Sequence, residues 1–217
     1  SLIYYTKILI KGKIIPQNLK KARKLIDMHL QEDKSTSLLL SGKILLKENK
    51  YKEAKSNLDE SSKLGNSESL YELAKIFCKG VGGPINHEKG IALYKQSCEI
   101  GCIKASYKYG RIIIDKYPER KQEGINYILQ SADKGYPKAM HYYSELVKDI
   151  DKNSSDNLNL SNKYLKNAAD QGHLDSMYKY GLLLLKKYEE LKKDGNENSA
   201  DTQFVYYIKS SSDKGHV

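Results

Sequence analysis

Apolar and polar positions along this chain follow a helical period, and the whole pattern recurs along the sequence. The stretch "QSADKGYPKAM" at 130–140 returns as "NAADQGHLDSM" at 167–177, 37 residues later. Internal repetition with a period of about 20–50 residues is typical of solenoids, in which each repeat stacks on its neighbours. The repeat therefore has to be defined before any single helix is assigned.

A glycine marks the end of each repeat. Helical stretches end at Gly65, Gly101, Gly135, Gly172 and Gly215, and successive glycines are 36, 34, 37 and 43 residues apart. Glycine takes a left-handed backbone conformation just past a helix without steric cost, so these glycines are predicted C-caps. Two small residues lie three and four positions before each glycine, and bulky, mostly apolar ones lie seven and eight before it. This large–small spacing allows a neighbouring helix to approach closely, and we call this segment helix B.

Another helix, called helix A, precedes helix B in each repeat and carries a small residue of its own. These small residues, the register positions, are Thr6, Gly42, Ala74, Gly110, Ser144 and Gly181. A hydrophobic residue follows each of them three positions later, which places both on one helical face. We predict that helix B presses against helix A at the register position, so that each repeat is a helix–turn–helix hairpin.

Six such hairpins predict an all-α fold, a right-handed α-solenoid of about six stacked helix-turn-helix repeats. The repeats are expected at about 1–33, 34–65, 66–101, 102–135, 136–172 and 173–215. They are expected to form a single domain over residues 1–217, with helix A of the last repeat running to about Asp194. Since the chain opens on Ser1 rather than Met, we expect it to be a fragment of a longer protein.

Repeat three carries a family resemblance. Its sequence, "SLYELAKIFCKGVGGPINHEKGIALYKQSCEIG" at 69–101, resembles a Sel-1-like repeat. Positions of that family pattern are filled, directly or by near neighbours, by Leu73, Phe77, Gly80, Gly82, Lys89, Tyr94 and Gly101. Repeats five and six depart from the pattern, because "DIDKNSSDNLN" and "LKKDGNENSAD" replace the glycine loop. The related tetratricopeptide repeat is the alternative, supported by "NKYKEAKSNL" in repeat two, and both imply stacked helical hairpins.

Motifs that could carry chemistry have simpler structural interpretations. The glycines of "KGVGGP" have no strand before them and no Gly-Lys-Ser/Thr after them, which favours an inter-helix turn over a phosphate loop. No histidine pairs with a cysteine or carboxylate at ligand spacing; the five are His29, His87, His141, His173 and His216. Cys98 and Cys102 are separated by the helix-ending Gly101, and no cysteine has zinc spacing. We predict no catalytic site, metal site or cofactor, and hence no enzyme.

The amino-acid composition shows a basic net charge and indicates a cellular compartment. The net charge is +10, but only three of the 37 basic residues are arginine, which bidentate recognition of phosphates and bases favours. Nucleic-acid binding is therefore kept as the alternative function. Three cysteines are too few for a disulfide scaffold, which favours the cytoplasm, with the endoplasmic-reticulum lumen as the alternative. No apolar run approaches the roughly 20 residues of a membrane span.

The A helices are expected to line the concave side of such a solenoid. One residue after successive register positions lie the cations Lys7, Lys43, Lys75 and Arg111. Three residues before the later register positions lie the rings Tyr71, Tyr107, His141 and Tyr178. This arrangement predicts a basic, aromatic-lined groove that binds an extended acidic segment through charge-assisted hydrogen bonds and tyrosine contacts.

The sequence thus predicts a non-enzymatic scaffold or adaptor for protein partners, or a structural component of a larger assembly. The family resemblance implies the same kind of role. A basic, nucleic-acid-binding helical-repeat protein is the alternative, and the identity of the partner and the oligomeric state stay open.

Overall fold

The structure, a computed structural model, describes residues 2–12, 14–29, 33–150, 154–193 and 202–215. In these residues it contains twelve α-helices, one 3₁₀ turn at Pro118–Arg120 and no strand. The helices are α1 (Leu2–Lys11), α2 (Leu19–His29), α3 (Lys34–Lys47), α4 (Tyr51–Lys63), α5 (Ser67–Lys79), α6 (His87–Glu99), α7 (Ile103–Lys116), α8 (Lys121–Asp133), α9 (Pro137–Ile150), α10 (Ser155–Asp170), α11 (Leu174–Lys193) and α12 (Phe204–Asp213). The predicted all-α class is confirmed.

The chain forms two compact units, Ser1–Tyr109 and Gly110–Val217, with the boundary inside α7. In the first unit each helix from α1 to α6 packs against the next one in the chain, and α1 also contacts α3. In the second unit the helices from α8 to α12 pack in the same consecutive manner. Stacking of helix–turn–helix repeats, as predicted, is therefore the organisation within each unit. Asp194, where helix A of the last repeat was expected to end, lies outside the described residues, and α11 extends to Lys193.

The five repeated glycines are helix C-caps, as predicted. Their φ angles run from +77° to +94°, in the left-handed region that favours glycine. At the first four of these glycines, the amide of the next residue donates to the carbonyl of the small residue that lies four positions before the glycine. Tyr136, for example, donates to the carbonyl of Ser131 at 3.1 Å. This is the Schellman arrangement, which satisfies carbonyls at the end of the helix. It turns the chain at the same point of successive repeats.

The register positions of helix A are buried in all six hairpins. A side chain at Gly110 would place its Cβ 2.7 Å from the carbonyl oxygen of Gly124, which leaves no room for a methyl group. In the next hairpin, Ser161 Oγ donates to the carbonyl of Ser144 at 2.8 Å. Helices A and B therefore touch through backbone at this crossing, and the small residue sets the rotation of helix A about its own axis.

Small residues of helix B are equally buried. The residues four before each capping glycine have no exposed surface, and they are Ser61, Ser97, Ser131, Ala168 and Ser211. Where the residue is serine, its hydroxyl needs a partner, and Ser61 Oγ and Ser97 Oγ each donate at 2.7 Å to a carbonyl in the first turn of helix A. Helices A and B are thus held together both where they cross at the register position and near the first turn of helix A.

In the second unit, a tyrosine–aspartate hydrogen bond between successive B helices occurs twice. Tyr164 OH donates to Asp133 Oδ1 at 2.5 Å, and Tyr207 OH donates to Asp170 in the same way one repeat later. Each aspartate is the one in the repeated Ala-Asp-x-Gly segment, two residues before the capping glycine. The echo between 130–140 and 167–177 therefore encodes both a helix cap and a contact with the following repeat.

Candidate functional site

The first unit contains a groove of about 670 Å³. It is lined by residues of the A helices, which are Lys7, Ile10, Lys11, Leu40, Lys43, Leu46, Lys47, Glu68, Glu72, Lys75 and Lys104. A residue next to a buried register position lies about 100° further round the helix. Because Thr6, Gly42 and Ala74 face helix B, the lysine that follows each of them turns away from that contact and into the groove.

Glu68, in the first turn of α5, is the centre of the groove's charge network. Its carboxylate lies 2.8 Å from Lys43 Nζ, 2.9 Å from Lys104 Nζ and 3.9 Å from Lys7 Nζ. Burial alone would raise the pKa of Glu68, but the charges and hydrogen bonds of Lys43 and Lys104 outweigh it and lower the pKa to about 2. Glu68 is therefore ionised at neutral pH and pairs with lysines from three different A helices.

Glu72, one turn further along α5, forms a second ion-pair centre. Its side chain is buried and lies 2.5 Å from Lys75 Nζ and 3.6 Å from Lys43 Nζ. The Lys75 ammonium also lies 5.5 Å from the centre of the Tyr71 ring, close enough for a cation–π contact. Tyr71 packs in turn on Tyr94 of α6, with ring centres 5.7 Å apart.

The groove nevertheless keeps a formal excess of four positive charges, from six lysines and two glutamates. Lys11 and Lys47 are exposed, and among the described residues neither forms an ion pair. Leu46, next to Lys47 in the sequence, is partly exposed and supplies apolar surface to the lining. The groove is thus chemically suited to an anionic ligand that also carries some apolar surface.

The residues predicted for the groove are only partly brought together. Lys7, Lys43 and Lys75 line the groove, and Tyr71 lies against Lys75 at its edge. Tyr107 is only 8% exposed, so its ring offers little area to a partner.

The other three predicted residues belong to the second unit. Arg111 is half-buried, with its guanidinium 5.0 Å from the Tyr142 ring centre and 4.0 Å from Asp115. Tyr178 lies on α11 with 36% of its surface exposed. His141 lies on α9 and takes part in a separate cluster.

That cluster joins two histidines through one serine. His141 Nδ1 lies 2.8 Å and His173 Nδ1 3.0 Å from the hydroxyl of Ser176, and the two ring centres are 4.7 Å apart. Burial lowers the pKa of both histidines; Lys179 adds to the effect at His141, and His141 itself adds to it at His173. A hydroxyl donates only one hydrogen bond, so at most one of the two imidazoles accepts from Ser176 and at least one donates to it. In the sequence these two histidines share no register position, and no motif links them.

Sequence reasoning also missed the residues that complete the groove. Glu68 and Glu72 lie six and two residues before Ala74, at positions not considered together with the lysines. Lys11 and Lys47 lie five residues after their register positions, and this shared offset was a usable signal. Lys104 lies six residues before Gly110, the same offset as that of Glu68 from Ala74.

Metal ligation and membrane crossing find no support within the described ranges. No group of three or more histidine, cysteine, aspartate and glutamate side chains there is arranged to hold a metal ion. Nor is any helix in those ranges both long enough and apolar enough to cross a membrane.

Stacked hairpins with a charged groove along their A helices define a helical-repeat protein. Three segments, residues 8–27, 67–102 and 137–173, match the model of the Sel1 repeat. The resemblance inferred from repeat three is confirmed. Sel1 and tetratricopeptide-like repeats generally mediate protein–protein interaction.

Solved structures agree on the fold. One is a protective antigen of uropathogenic Escherichia coli strains displaying an SLR fold, with a TM-score of 0.66, 19% identity, and coverage of 100% of this chain and 49% of that one. Another is a Sel1 repeat protein from Oxalobacter formigenes, with a TM-score of 0.71, 13% identity, and coverage of 99% and 87%. The present chain thus spans about half the length of the first structure. No curated protein matches the sequence.

Proposed function

We propose that this protein is a non-enzymatic interaction scaffold whose first unit binds an acidic, extended segment of a protein partner in the lysine-lined groove. The single observation that carries the proposal is the groove's excess of positive charge beside apolar side chains. Electrostatic complementarity of this kind steers association and selects partners of opposite sign. We further propose that it works in the cytoplasm, since Cys78, Cys98 and Cys102 form no disulfide.

The geometry favours a protein segment over nucleic acid. The lining cations are all lysines, whose compact ammonium groups lack the planar fork that reads phosphates and bases bidentately. The two glutamate carboxylates within the groove would repel a continuous phosphate backbone. A peptide carries separated carboxylates with apolar side chains between them, which matches the mixed lining better.

Fluorescence anisotropy tests the proposal on the whole chain. The probe is a fluorescein-labelled octapeptide of glutamate and leucine, and the matched control replaces every glutamate by glutamine. We expect the acidic peptide to bind at least about tenfold more tightly at low salt and to lose affinity as salt screens the contacts.

The second measurement uses a labelled single-stranded oligonucleotide of mixed sequence. Binding of the oligonucleotide without binding of the acidic peptide would overturn the proposal in favour of the nucleic-acid alternative. Equal binding of the acidic and amide peptides would show that the lysines do not select the ligand.

A further inference from the structure

We infer that Lys11 and Lys47 are the primary contacts for the acidic segment, and that this segment carries two carboxylates two or three residues apart. The inference rests on the proposed function and sharpens it. It moves the binding role away from Lys43 and Lys75, the lysines that the repeat register alone selects.

The central lysines of the groove already have counter-charges. Lys43 is held at 2.8 Å by Glu68, which also pairs with Lys104 at 2.9 Å, and Lys75 is held at 2.5 Å by Glu72. A partner carboxylate that bound there would have to displace a carboxylate of the same chain. The chain's own carboxylate is already held in place, so its ion pair carries no entropic cost of association. Replacing it by a partner's carboxylate therefore gains little binding free energy.

Lys11 and Lys47, by contrast, are exposed and lack such an internal partner among the described residues. Each lies five residues after its register position, Thr6 or Gly42, in the neighbouring helices α1 and α3. Both therefore present a cation at the same level of the hairpin. A partner carboxylate can pair with either without breaking an existing ion pair.

The spacing of these two lysines sets the spacing of the carboxylates. Axes of packed helices lie about 8–10 Å apart, so equivalent positions on α1 and α3 are separated by roughly that distance. Side chains that point to the same side of an extended chain lie two residues, about 7 Å, apart in a β-strand and three residues, about 9 Å, apart in a polyproline II helix. Leu46, which directly precedes Lys47 in the chain, is partly exposed and lines the groove, so an apolar residue between the two carboxylates has a surface to contact.

The experiment compares three double variants of the whole chain. Lys11→Ser/Lys47→Ser removes the inferred contacts, and Lys43→Ser/Lys104→Ser removes the same charge beside Glu68. Lys20→Ser/Lys24→Ser removes it from exposed positions of α2 outside the groove. The probe is a fluorescein-labelled Gly-Ser-Glu-Leu-Ala-Glu-Ser-Gly peptide, and thermal melts monitored by circular dichroism show that each variant is folded.

We expect the first variant to bind about tenfold more weakly, because each exposed ion pair contributes roughly threefold. The second should lose less than about threefold and the third less than about twofold. Glu68→Gln should bind more tightly, since it removes the carboxylate that pairs with Lys7, Lys43 and Lys104.

Two results would overturn the inference. If the Lys43/Lys104 variant loses binding while the Lys11/Lys47 variant keeps it, the contacts are misassigned but the proposed function stands. If the wild-type chain binds no acidic peptide at all, the proposed function and the inference both fail.

Discussion

Glu68→Gln is the substitution that most directly tests how the groove is held together. Glutamine keeps the size of the side chain and removes the charge that pairs with lysines of α1, α3 and α7. Only 23% of the Glu68 side chain is exposed, so its interactions are poorly screened by solvent. The effect should therefore be visible in the stability of the chain as well as in ligand binding.

The magnitude follows from the pKa of Glu68. Against the opposing effect of burial, Lys43 and Lys104 lower this pKa from 4.5 to about 2. Because a tenfold change in an acid dissociation constant corresponds to about 1.4 kcal/mol, the charged network contributes about 3 kcal/mol at neutral pH. The pKa is lower in the folded state, so this stabilisation is present above pH 4.5 and is lost as the pH falls from about 5 to about 2.

Urea unfolding followed by circular dichroism at pH 7, 5, 4 and 3 measures the effect. The wild type should be more stable than Glu68→Gln by about 3 kcal/mol at pH 7, and the gap should shrink steadily below pH 5. Glu53→Gln is the control, because Glu53 is exposed on α4 and forms no ion pair among the described residues. Parallel stability curves for wild type and Glu68→Gln from pH 7 to 3 would refute the charge network as described.

Two further predictions concern the second unit. Gly110→Ala should lower the free energy of unfolding in urea by about 1–3 kcal/mol, because the new Cβ meets the backbone of Gly124, which cannot move aside as a flexible side chain can. Lys116→Ala, at an exposed position of the same helix, is the control. A loss of stability in Gly110→Ala no larger than in this control would contradict the close crossing. Burial lowers the pKa of His141 and His173 in the folded state, so the free energy of unfolding should fall as the pH drops below 6.5. Replacing both histidines by glutamine should make the free energy of unfolding less dependent on pH in this range. An unchanged pH profile in the double variant would argue against the buried pair.

The repeat and its caps could be predicted because each depends on a local steric rule. Gly135 and Gly172 take positive φ angles that other residues rarely adopt, so the spacing of glycines reports the helix ends directly. Gly110 and Gly181 are required where two backbones nearly touch, so small residues report the crossing of helices A and B. Such rules act within one hairpin, and one sequence is enough to read them.

The repeated aspartates were visible in the sequence, but their role was not. Asp133 and Asp170 accept hydrogen bonds from tyrosines that lie one repeat later in the chain. A short polar residue near a helix C-terminus has many explanations within its own repeat. Only the stacking of two B helices identifies the tyrosine hydroxyl as the partner.

The prediction of the groove left out contacts between repeats for the same reason. Its lysines were chosen by their offset within each helix A, as if every helix contributed independently, and in the structure Lys7, Lys43 and Lys75 lie in one lining. The charge that remains available in the groove, however, depends on Glu68, which lies 25 residues after Lys43 and 36 before Lys104. Counting cations along one register therefore overstates the number that a ligand meets. A sequence-based prediction of any helical-repeat groove has to subtract the acidic residues that adjacent A helices place between the cations.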